Sequence, residues 1–114
     1  MISEIIKKLK ETNIKVCPFG IDEKKLKEVR ECILYTYNPI ATSNKFQLEI
    51  RVISDSLESC LEIKKELESL FLGKGDKVNL KKCTYVEFTG GGSLKDFANE
   101  KVHLFFYMNF IGRR

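Results

Sequence analysis

The stretch from Phe46 to Phe71 constrains the fold more than any other part of the chain. Phe46, Leu48, Ile50 and Val52 alternate with Gln47, Glu49 and Arg51, the period-2 pattern of a strand that buries one face. Ser54-Asp55-Ser56 then breaks the alternation, and Leu57, Cys60, Leu61, Ile63, Leu67, Leu70 and Phe71 fall at helical spacings up to Gly73. Asp55 is placed to cap the free amides of that helix, with Glu58 three residues on reaching back. A strand followed at once by a helix whose apolar stripe lies across the sheet is the nucleus of an α/β layer pair. This pattern specifies a fold class and no chemistry.

The flanking chain extends that nucleus. Ile2, Ile5, Ile6 and Leu9 recur at i, i+3, i+4 and i+7, so a short amphipathic helix begins at Ser3 and stops near Asn13. Its apolar stripe is narrow and lacks aromatics, which suits packing on the chain's own sheet better than a membrane surface. Ile14, Val16 and Cys17 make a short strand ended by Pro18 and Gly20, and residues 21–31 are so charged that they read as an exposed loop. Ile33, Tyr35 and Tyr37 alternate with Cys32, Leu34 and Thr36. Both faces of that strand are largely apolar, as in a central strand or one that meets a partner. Asn38-Pro39 opens a hairpin into the strand at Phe46, with an exposed tip.

Gly73 and Gly75 form a turn, because the P-loop spacing of glycine, lysine and hydroxyl is absent. Cys83–Phe88 reads as a strand with Thr84, Val86 and Phe88 on one face. Gly90-Gly91-Gly92-Ser93 marks either a mobile loop or a close backbone approach, and without basic anchors it is a poor anion nest. Residues 94–100 read as a loop forming an arm. From Lys101 to Ile111 runs a final strand with Val102, Leu104, Phe106, Met108 and Phe110 on one face and His103, Phe105, Tyr107, Asn109 and Ile111 on the other. A solvated face does not carry Phe105, Tyr107 and Ile111 together, so either the first helix or another subunit covers it. His103 reads as a structural histidine, with no Ser or Asp constellation around it.

The expected architecture is α+β: one domain over residues 1–114, with a mixed, mainly antiparallel four- to five-stranded sheet and two helices packed on it. Its net charge of +4, from 20 basic and 16 acidic residues, is too small and dispersed to announce nucleic-acid binding. Cys17, Cys32, Cys60 and Cys83 lack close pairs and sit in apolar segments, so they read as buried thiols in a reducing compartment, with no zinc site. No apolar run reaches the length of a membrane span, which points to the cytoplasm.

In the order of these elements the chain resembles the tail terminator, or tail completion, proteins of long-tailed bacteriophages and prophages. The local stretches are Cys32–Tyr37 leading into an open hairpin, KFQLEIRVISDS running into a helix, and GGGSLKD ahead of an aromatic-rich strand that begins at His103. The chain departs from its relatives at Glu31-Cys32, where a Pro-aromatic pair often enters the first long strand. The resemblance implies a structural protein rather than an enzyme, with no catalytic residue, cofactor or metal. Such proteins form a ring with themselves, commonly a homohexamer, on the last ring of tail tube protein. There they end tube polymerisation, present a surface to the head connector or stopper protein, and let DNA pass through the lumen without sequence recognition. The implied location is the host cytoplasm during assembly and the head-tail junction of the virion afterwards, with no membrane partner.

For such a ring the candidate subunit or partner interface is Tyr35, Tyr37, Ile40, Gly91, Leu94, Phe97, Phe105 and Tyr107, on the strands with two apolar faces and on arms at 38–45 and 90–100. Two readings from other classes compete. A small nucleic-acid-binding α/β module would use Phe105 and Tyr107 as a stacking platform. A small enzyme would use His103 with Cys83, provided the two side chains meet.

Overall fold

The period-2 stretch forms strand β3 (Lys45–Ser54), and the helical stretch after it forms helix α2 (Leu57–Leu72). The computed structural model describes residues 2–12, 14–18, 31–39, 45–72, 83–97 and 100–112. The remaining described elements are helix α1 (Ile2–Leu9) with a 3-10 turn at Lys10–Thr12, and strands β1 (Lys15–Pro18), β2 (Cys32–Pro39), β4 (Cys83–Asp96) and β5 (Lys101–Gly112). The five strands make one sheet in the order β1-β2-β3-β5-β4. β1 runs parallel to β2, and every other pair is antiparallel. Among the described residues, a mixed, mainly antiparallel sheet with two helices is therefore the observed architecture. The charged stretch 21–30, the tip 40–44 with Ile40, and the Gly73 and Gly75 turn lie outside the described residues.

Register decides where the core sits. Phe46, Leu48, Ile50 and Val52 of β3 stand opposite Phe110, Met108, Phe106 and Leu104 of β5, so the apolar sets of both strands share one face. Cys60, Ile63, Leu67 and Phe71 of α2 close over it, and so do Ile5 and Leu9 of α1. The ring of Phe46 stacks on Phe110 at 4.8 Å between centroids, and Phe71 meets Phe110 edge-on at 6.1 Å. Each such fully buried side chain is worth about 1.5–3 kcal/mol of transfer free energy, so this layer dominates stability. Among the described residues, no helix is long and apolar enough to cross a membrane.

Two local expectations are corrected, and a third, the stop at Asn13, falls on a residue outside the described ones. The cap of α2 is Ser56, whose Oγ accepts from the Ser59 amide at 3.1 Å. Asp55 turns instead to Lys101, whose Nζ lies 2.5 Å from its Oδ1. At the end of α1, Thr12 Oγ1 donates to the Leu9 carbonyl at 2.8 Å and accepts from the Ile14 amide at 3.2 Å, while Asn13 lies outside the described residues. The first helix also does not cover the face that carries Phe105 and Tyr107. It packs with α2 on the opposite one.

The thiols of Cys32 and Cys60 are buried. Cys60 Sγ sits 3.6 Å from the Val52 carbonyl and 3.5 Å from that of Val102, and burial pushes its pKa up. It behaves as a small core residue rather than a nucleophile.

Candidate assembly surface

The strands β4 and β5 form the longest hairpin of the fold, of 14 and 12 residues, where strands of about 5–6 residues are usual. Sequence alone ends β4 at Phe88; the strand continues through the glycines to Asp96. Thr89 pairs with Tyr107 and Gly92 with Phe105, so Gly90 and Gly91 together face the single residue Phe106. Two residues against one make a β-bulge, which bends the strand and increases its twist without ending the pairing. Of the arm at 90–100, residues 90–96 are thus paired strand rather than loop.

The glycines are needed for close approach. Gly91 has φ +114°, and a Cβ there would fall 2.2 Å from the Phe105 carbonyl oxygen. Gly90 has φ +65°, with Tyr107 Cδ2 at 3.1 Å from where its Cβ would stand, and at Gly92 the corresponding contact is Phe105 Cζ at 3.2 Å. The two aromatic rings of β5 therefore lie over bare backbone of β4. This is how half-buried Phe105 and Tyr107 are accommodated on a face with no described helix. Arg51 of β3 covers Phe105 further, with its guanidinium carbon 5.7 Å from the ring centroid.

Polar groups complete this second face. Gln47 Nε2 donates to Asn109 Oδ1 at 3.0 Å, and Asn109 Nδ2 donates to Thr89 Oγ1 at 2.8 Å, a ladder across β3, β5 and β4. Nearer the hairpin tip, buried His103 stands between Arg51 and Asp96. Its Nδ1 is 3.5 Å from Arg51 Nη1. Its Nε2 is 3.5 Å from Asp96 Oδ2, within ion-pair range yet without the geometry of a hydrogen bond. Burial lowers the pKa of His103, Arg51 lowers it further, and Asp96 opposes both.

Of the residues singled out from sequence, Gly91, Leu94, Phe97, Phe105 and Tyr107 are brought together on this hairpin. Leu94 is 44% exposed and Phe97, at the turn, 80%. Lys95 Nζ lies 5.4 Å from the Phe97 ring centroid. Tyr35 and Tyr37 are elsewhere: they share the helix-bearing face with Ile33, and Tyr37, 44% exposed, leans on Phe46 at 5.5 Å. Ile40 lies outside the described residues.

His103 and Cys83 do not meet. Cys83 pairs with Gly112 and His103 with Leu94, so nine positions of β5, about 30 Å at roughly 3.3 Å per residue, separate them. Among the described residues, no three His, Cys, Asp or Glu side chains converge as a metal site would require. Sequence reasoning missed Arg51, Asp96 and the Gln47–Asn109–Thr89 ladder. The signal was the polar set of β3 itself, which needed the β3–β5 register to acquire partners.

No protein-family model matches the chain, and no curated protein matches it in sequence.

Proposed function

We propose that this chain is a structural protein of a long-tailed bacteriophage or prophage, a tail terminator or a neighbouring head-tail joining component that closes into a ring on the tail tube. The observation that carries the reading is the β4–β5 hairpin, an edge hairpin with a bulge and an exposed apolar tip at Leu94 and Phe97. A closed ring requires one patch of each subunit to meet a different patch of the next. An edge strand with an apolar tip is suited to that contact through backbone pairing and side-chain anchoring together. The stretches KFQLEIRVISDS and GGGSLKD, which resemble tail terminators, form β3 with the cap of α2 and the bulged part of β4. In this reading the ring ends tube growth, offers its other side to the head connector, and surrounds DNA without reading it. It catalyses no reaction.

Light scattering on the full chain over a range of concentrations tests the reading. The expected result is a ring-sized oligomer, reduced to a monomer of unchanged circular dichroism by Leu94→Asp combined with Phe97→Asp, with loss of tail completion. A double variant that still assembles and completes tails would sink the hairpin interface. A native chain that stays monomeric at every concentration and gains mass only with a single-stranded oligonucleotide would replace the ring with the nucleic-acid module.

A further inference from the structure

The turn end of the β4–β5 hairpin holds a group of charges that neither the core nor the proposed interface explains. His103 is buried between three strands. Among the described residues, the charged groups facing it are Arg51 from β3, with Glu49 one pleat further along; Asp96 from β4; and Lys101 from β5, held by Asp55 just beyond β3. Its apolar walls are Ile53, Leu94 and Phe105. Arg51, Asp55 and Asp96 each make further interactions.

The donor chemistry fixes the state of the ring. A guanidinium can only donate, so Nδ1, 3.5 Å from Arg51 Nη1, must be the acceptor, and the proton of the neutral ring sits on Nε2, 3.5 Å from Asp96 Oδ2. Protonation adds a second N–H at Nδ1, pointing into the guanidinium. A buried imidazolium then has one like charge and one opposite charge at equal distance, and burial decides against it.

We propose that Arg51, His103 and Asp96 form a pH-sensitive latch at the turn end of the hairpin, closed with a neutral imidazole and released when the ring is protonated. The wall that moves is β4. β3 and β5 are clamped by the helix-side core, whereas Ser93, Leu94 and Lys95 are exposed at the sheet edge. The sign follows from the lowered value in the closed form. An opened hairpin, with His103 near its ordinary 6.5, binds more protons below that pH. Closure is therefore fully favoured above about pH 6.5 and is lost as the pH falls through the closed-state value. The latch is independent of the ring reading, since it concerns one chain.

The test is amide hydrogen exchange on the full chain, corrected for intrinsic rates, from about pH 7.5 to about pH 5. Protection of residues 92–101 should fall by up to about tenfold per pH unit below 6.5, as one linked proton requires, while α2 is unchanged. His103→Gln should remove that pH dependence. Loss of protection that is uniform over the chain, or that persists in His103→Gln, overturns the latch. His103 is the single histidine, so its titration by NMR gives a second readout. Arg51→Gln should raise its pKa and Asp96→Asn should lower it. Equal values in both variants, or a native pKa above 6.5, would also overturn the proposal.

Discussion

The two faces of the sheet solve the same problem with different material. On one, Leu48, Ile50, Phe106 and Met108 are removed from water by two helices in a core of apolar side chains. On the other, Phe105 and Tyr107 fold onto the glycine backbone of their neighbour strand, and amides and charges fill the rest. The first arrangement is a close-packed interior, where any lost volume leaves a cavity. The second is thin, partly wet and held by geometry at a few backbone positions. Stability should therefore reside in the first face and adjustability in the second.

The largest expected effect lies on the helix face. Phe106→Ala should lower unfolding free energy by about 3–5 kcal/mol in urea titration; a loss below about 1 kcal/mol would mean that the helices are loosely seated. Next is the bulge. Gly91→Ala places a methyl against a backbone oxygen at positive φ, a strain of order 1–3 kcal/mol. Gly92→Ala meets only the end of the Phe105 ring, which can swing aside, and should cost less. Equal costs at the two positions would show that the hairpin relaxes as a whole. The smallest effect is at the polar ladder: Thr89→Val removes the acceptor of Asn109 and should cost about 0.5–1.5 kcal/mol, with the circular dichroism unchanged. A larger loss would make the second face as intolerant as the first.

What could be read from the residues alone followed the same division. β3, α2 and the helix-side set of β5 were legible because a single periodicity runs the length of each element and burial enforces it. The capping residue was not, because Ser54, Asp55 and Ser56 are all capable donors of an acceptor oxygen, and the choice was made by Lys101, distant in sequence, which draws Asp55 away. The continuation of β4 was hidden for a different reason. Three glycines have the same signature in a loop and in a bulge, and only the two rings opposite them distinguish the cases. Of the candidate surface, Phe105 and Tyr107 were legible as apolar residues on a face from which solvent should have excluded them, and Leu94 and Phe97 only as part of an arm. The partners Arg51 and Asp96 were not, since ordinary surface charges acquire meaning only through register.

The strand order has a consequence for the birth of the protein. β3 is the central template, yet one of its two neighbours, β5, follows every other strand in the chain. During synthesis the row Phe46, Leu48, Ile50, Val52 therefore has β2 on one side and an open edge on the other while α2 and all of β4 are made. That edge is a site for pairing with the wrong chain. Cooperative closure waits for Leu104, Phe106, Met108 and Phe110 to leave the ribosome, so folding is delayed to the last strand.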